Sequence, residues 1–214
     1  MARRNDHSRE ELKELILDAA WDIVAVNGAS SLTARGIGKK IGYAAGTIYN
    51  IFPAMEVLHL HLNARTMDML FEKLEKTACK KGGTFEEKLF QLACSYIRFS
   101  ERYHPFWMAL FATDIQGCKK NHSWYEEKIE KIFEPLEMIL KQYLRGKNAR
   151  QIEADSYILW SSVHGLVYLW VTGKSSYLEA GQSQRKSGKG ALEKAISLLI
   201  STYVAGISAR KITV

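Results

Sequence analysis

The 214-residue chain is short of the residues that staple or break a fold. It has three cysteines, Cys79, Cys94 and Cys118, and no Cys-x-x-Cys pair. That argues against a disulfide framework and a cysteine-built zinc site, and leaves reduced thiols in a cytosolic protein. Only three prolines occur, so long helices can run without interruption. The opening residues, Met-Ala-Arg-Arg-Asn-Asp-His, have no apolar segment behind them, so no secretory signal is expected. The most apolar run, Tyr157 to Val171, is broken by Ser161, Ser162 and His164. It is short for a bilayer span and suits a buried helix. No stretch alternates with period two for long enough to make a strand, and no internal repeat is present. An excess of acid is also missing: the formal charge is +7. A basic balance favours a polyanionic partner without selecting one.

What is present is helical periodicity. Ser8-Arg-Glu-Glu11 reads as a capping box. The apolar positions after it, Leu12, Leu15, Ile16, Ala19, Ala20, Ile23 and Val24, step by three and four. Asn27-Gly28 predicts a left-handed stop. Thr33 is placed to cap a short helix ending near Ile41, Gly42 makes a turn, and a third short helix follows from about Ala44 to Asn50. Pro53 reads as the first position of a long helix reaching about Cys79. Further helices are expected from Phe85 to Tyr103, around Phe106–Ala112, from Trp124 to Leu144 with a kink at Pro135, over 149–173, and from Ala191 to Ser208. Gly117–His122 and Lys174–Gly190 read as loops. The fold class is therefore all-α, with about nine helices. A soft boundary near residue 53 separates a three-helix head (1–53) from a helical bundle (54–214).

The stretch Leu32-Thr-Ala-Arg35, followed by Gly42-Tyr-Ala-Ala-Gly-Thr-Ile-Tyr-Asn-Ile-Phe-Pro53, resembles the helix-turn-helix domain of the TetR family of transcriptional regulators. Trp160-Ser-Ser-Val-His-Gly165 resembles a Trp…His-Gly pattern of one class of C-terminal domain in that family. The resemblance implies a homodimeric DNA-binding regulator without enzymatic activity or cofactor, repressor by habit, cytoplasmic, reading a palindromic operator. It implies that Thr33, Thr47 and Tyr49 meet phosphates and that Arg35 reads a base or a phosphate. Tyr43, Ala44, Ala45 and Gly46 would face the groove, with Asn50 beside them. The chain departs from the family where Ser-Lys commonly precedes Gly-Thr: here Ala44 and Ala45 stand. It also has Met55 where a phosphate-binding lysine is common. Residues 1–52 carry seven Lys/Arg against six Asp/Glu, so the head is nearly neutral, with Arg3 and Arg4 at its start as a phosphate-seeking arm.

The larger domain has no catalytic signature. Its aromatics Tyr96, Phe99, Trp107, Phe111, Trp160 and Tyr168, with His164, suit the lining of an apolar small-molecule cavity as well as ordinary core. By the resemblance, the last two long helices pair with their twins in the dimer. A ligand would shift the long fourth helix and so weaken DNA binding; alternatively it strengthens binding, or the regulator works without a ligand. Two features point elsewhere, to a metal enzyme and to a membrane surface. Glu-x-x-His occurs at Glu56…His59 and Glu101…His104, the spacing of carboxylate-bridged metal enzymes. Both lie at helix ends without evident inward glutamates, and His59 and His61 point to different faces, so no metal site is expected. The basic loop 174–190 is too diluted by Gly and Ser for a membrane-surface helix.

Overall fold

The computed structural model describes residues 7–112, 123–174 and 189–210, with side chains to 207 in the last segment. Among these residues there are ten α-helices, one 3₁₀ turn and no strand. Arg3, Arg4, Cys118, the 117–122 loop and most of the 174–190 loop lie outside the described residues.

Two compact units emerge, and they interleave along the chain. The first comprises Met1–Met69 with Tyr103–Lys128, the second Leu70–Arg102 with Ile129–Val214.

In the first unit, α1 (Arg9–Asn27) starts as its sequence predicts. The Glu11 backbone N–H donates to the Ser8 hydroxyl and the Ser8 N–H to the Glu11 carboxylate, at 3.3 and 2.7 Å. That reciprocal pair satisfies two of the orphan donors of the first turn. Gly28 ends α1 with φ 78°, but ψ is 166°, so the stop is not left-handed helical as expected. A 3₁₀ turn (Ala29–Ser31) leads to α2 (Ala34–Ile41) and α3 (Ala45–Ile51). Ile16, Ala20, Ile37, Ile48 and Phe52 close a three-helix core. The start of α4 (Met55–Ala78) adds Leu58 and Leu62. Pro53 precedes α4 by two residues rather than opening it. The core is completed from far along the chain: Phe106 of α6 (His104–Ala112) is buried in it and stacks on Trp21 with centroids 3.6 Å apart. The Arg65 guanidinium lies 5.0 Å from the Trp21 ring and 2.6 Å from the Asp18 carboxylate.

In the second unit, α5 (Phe85–Arg102) packs against α8 (Glu134–Tyr143), α9 (Ala149–Val171) and α10 (Lys189–Arg210). The expected kink at Pro135 is a break. α7 (Ser123–Lys131) ends, and α8 begins anew with Pro135 in its first turn. Proline is accommodated there because its missing N–H has no helical partner to lose. α9 opens on a second capping box, Asn148 with Gln151. The Lys88 side chain is almost wholly buried. Its ammonium donates to the Ala78 carbonyl at 3.4 Å and to that of Lys80. It thus caps the carbonyl end of α4, where a cation also suits the helix dipole.

Candidate DNA interface and ligand cavity

The helix-turn-helix is set by backbone chemistry at four positions. The Thr33 hydroxyl oxygen accepts the Gly36 N–H at 3.0 Å and caps α2, leaving its own O–H to donate outward. Gly42 ends α2 in the left-handed conformation, φ 77° and ψ 26°, which a side chain would strain. The Tyr43 N–H then donates to the Gly38 carbonyl at 2.9 Å. Tyr43 also presses its own carbonyl onto Gly38, where a Cβ would come within 2.5 Å of that oxygen. Gly38 is therefore a packing glycine. Gly46 is the opposite: it is exposed, and a Cβ added there would find no atom within 4 Å. Nothing inside the protein requires its lack of side chain.

The nine residues expected at DNA lie on one continuous stretch. Thr33, Arg35, Ala44, Gly46, Tyr49 and Asn50 are exposed, while Tyr43, Ala45 and Thr47 are half-buried. Ala44 occupies the N-cap of α3 and offers no side-chain hydrogen bond. Tyr49 is 47 % exposed, although Ile48 beside it in α3 is buried. Lys40 is drawn into a 3.2 Å ion pair with Asp22, which spends part of the head's small positive charge on its own surface. One neighbour was not anticipated: the His7 ring nitrogen lies 2.8 Å from the Tyr43 hydroxyl.

The second unit contains a cavity of about 50 Å³. Leu74, Leu89, Leu92, Ala93 and Tyr96 form one part of its wall, and Ile132, Leu136, Leu159, Trp160, Val163 and Ile200 the rest. No lining residue is charged. Of the residues expected at a ligand, Tyr96 and Trp160 line it. His164 lies behind them: its Nδ1 is 2.8 Å from the Tyr96 hydroxyl, and its ring stacks on Trp160 with an interplanar angle of 2°. Burial pushes the His164 imidazole below its ordinary value. Tyr168 packs on His164 at 5.9 Å. Phe99 is buried in α5 but does not line this cavity. Trp107 and Phe111 belong to the first unit, where they meet edge to face at 5.0 Å. The aliphatic half of the wall went unflagged in the sequence because leucine at helical spacing reads as core. Among the described residues no cluster of His, Cys, Asp or Glu could hold a metal ion.

An all-α chain with this three-helix head, Thr33-capped and turned at Gly42, is a helix-turn-helix DNA-binding protein. The family model for bacterial regulatory proteins of the tetR family matches residues 16–62, and that for the tetracyclin repressor-like C-terminal domain matches residues 89–185. The chain belongs to the TetR family of transcriptional regulators. Solved structures agree on the fold. A protein of unknown function from Rhodococcus sp. RHA1 is 14 % identical, with TM-score 0.70, over 96 % of this chain and 98 % of that one. A TetR-family regulator from Mesorhizobium loti is 19 % identical, with TM-score 0.63, over 94 % and 98 %. One from Shewanella sp. PV-4 is 14 % identical, with TM-score 0.60, over 91 % and 96 %. No curated protein matches the chain.

Proposed function

We propose that the protein is a cytoplasmic, homodimeric repressor that binds a palindromic operator and is released by a small, largely apolar, uncharged ligand. The observation that carries the ligand half is the cavity wall: eleven residues, none of them charged, with only the Tyr96 hydroxyl and the Trp160 indole as polar tips. An ion would lose its hydration there without compensation. The cavity is smaller than the roughly 150 Å³ that admits benzene. A ring-sized ligand must therefore move the wall, and Leu74 places α4 in that wall. Differential affinity for the expanded wall is what would shift the regulator between states.

Dimerisation is supported by α9 and α10. Tyr157 and Ile158 on α9 and Leu198 on α10 are 64 %, 55 % and 68 % exposed. Over Lys189–Ile207, α10 has a mean hydropathy of 1.3 with 22 % of its residues buried. Length and composition alone would also allow a membrane span. In a regulator of this family the fitting cover is the same face of a second copy, which also sets two heads about 34 Å apart for adjacent half-sites. The DNA residues are those of the exposed stretch, with Arg35 and Tyr49 as the strongest donors.

The test is enrichment of duplexes from a random-sequence library, followed by fluorescence anisotropy against excess competitor DNA. Tight binding that is lost in an Arg35→Ala, Tyr49→Phe double variant supports the reading. Binding that is weak, steeply salt-dependent and indifferent to the double variant would reduce the interaction to phosphate attraction. Light scattering on the same samples reads the dimer.

A further inference from the structure

His7 immediately precedes the N-cap of α1, yet its partner is on the other side of the helix-turn-helix. Its Nδ1 sits 2.8 Å from the Tyr43 hydroxyl, with ring centroids 6.1 Å apart. The backbone of Tyr43 is held on both sides in the α2–α3 turn: its N–H is bonded to Gly38 and its carbonyl is pressed against the same glycine. Its side chain therefore leaves the turn in one direction, and His7 meets the end of it. A bond between an exposed imidazole and a half-exposed phenol adds little to folding. Its placement at the start of α3 is what calls for a role.

We propose that His7 is an additional DNA-contacting and positioning residue, which aims the Tyr43 hydroxyl at the duplex backbone and, on taking up a proton, presents a second outward donor and a positive charge there. The inference rests on the assignment of Tyr43 to the DNA face. The hydrogen-bond polarity explains the gain. With His7 neutral and Nδ1 unprotonated, the Tyr43 O–H donates to Nδ1, and the outward donor is the His7 Nε2–H. When solvent supplies a proton to Nδ1, the new N–H donates to the Tyr43 oxygen instead. The pair stays bonded, but the phenolic O–H is released to turn toward a phosphate, while Nε2–H remains available. One outward donor becomes two, and one unit of positive charge is added.

The charged group facing His7 from α1 is Glu11, and the titratable group facing it from the turn is Tyr43. Glu11 is held ionised first by the Ser8 backbone N–H and lastly by His7 itself. Protonation of His7 places a positive charge near this ionised carboxylate.

The experiment measures anisotropy with a duplex enriched on the wild-type protein, from about pH 8 to about pH 6, the range in which histidine changes charge. It compares wild type with His7→Gln, His7→Lys and Tyr43→Phe, with circular dichroism showing each folded. Wild type should bind roughly five- to tenfold tighter at the acid end. Its salt dependence should steepen by about one phosphate per head. His7→Gln should lose this part of the profile, leaving an affinity that is flat with pH and at or below the wild-type high-pH value. His7→Lys should bind with the acid-end affinity throughout. Tyr43→Phe should keep the charge-driven part and lose the remainder. A His7→Gln variant with the wild-type profile, or a His7→Lys variant that tracks His7→Gln, overturns the inference while leaving DNA binding intact. An enrichment that yields no duplex overturns the DNA reading itself, and this one with it.

Discussion

The two units solve opposite problems with the same helical vocabulary. In the first, aliphatic side chains fill a small core, and the residues with chemical information (Arg35, Tyr43, Tyr49, Asn50) are turned outward. In the second, Tyr96 and Trp160 are turned inward around a void with His164 behind them, and an apolar surface is left on α9 and α10. A head that must present a fixed surface to a rigid duplex gains from tight packing and glycine-defined turns. If the second unit responds to a small molecule as proposed, it gains from a wall that can move. The contrast predicts that backbone substitutions dominate in the head and that volume and burial dominate in the second unit.

The largest effect should come from two glycines of the head that look alike in sequence. Gly38→Ala sets a methyl 2.5 Å from the Tyr43 carbonyl. We expect a loss of about 3 kcal/mol in urea unfolding, together with loss of DNA binding. Gly46→Ala meets no protein atom within 4 Å. It should leave folding unchanged or raise stability by about 0.5–1 kcal/mol, the helix gain of alanine over glycine, while weakening DNA binding by about tenfold or more. A Gly46→Ala variant that binds like wild type would remove the start of α3 from the DNA face.

Next is the buried lysine of the second unit. Lys88→Met keeps the length of the side chain but leaves the carbonyls of Ala78 and Lys80 without its donor. A cost of about 1–3 kcal/mol is expected, read as a lower urea midpoint without loss of helical circular dichroism. Smaller again is Ala93→Val, which grows into the 50 Å³ cavity. At about 24 cal/mol per Å³ of void, filling it should raise stability by up to about 1 kcal/mol. A fall instead would show that the wall is already in close contact. In the head, Ala44→Ser supplies the missing N-cap acceptor of α3 and should stabilise by about 0.5–1 kcal/mol.

The last prediction separates the units by pH. Burial lowers the His164 pKa, so the folded state binds fewer protons than the unfolded chain. Stability is then full above the unfolded imidazole's value and falls as pH drops from there toward the lowered folded value. His59 in α4 shifts in the same direction through burial. His164→Gln should flatten part of the decline in thermal midpoint on acidification, and an unchanged slope would assign the decline to His59 and the carboxylates.

Much of this architecture was legible because its signals are local. The capping box at Ser8, the Thr33 cap, the turn at Gly42 and the order of short and long helices each rest on residues within one turn of one another. Pro53 stands two positions ahead of the helix it was expected to open, and Pro135 opens a new helix where a kink in one helix was expected, since proline tolerates both the first turn of a helix and the residues before it. The cavity was legible only in part. Helical spacing says which residues share a face and not which face meets a void, so Phe99, Trp107 and Phe111 looked equivalent to Tyr96 and Trp160. The bond from His7 to Tyr43 spans 36 residues, and no local pattern announces it.

Phe106 has a consequence for how the protein is made. The head reads as the first fifty-odd residues, yet its core takes in Leu58, Leu62 and, much later, Phe106 stacked on Trp21. A ribosome adding about 5–20 residues per second delivers Phe106 seconds after the three helices it seals. For that interval the nascent head lacks the ring that stacks on Trp21, and its core is unfinished. For the same reason, transplanting the DNA-binding head onto another protein by cutting at residue 53 would carry over the recognition surface and leave its keystone behind.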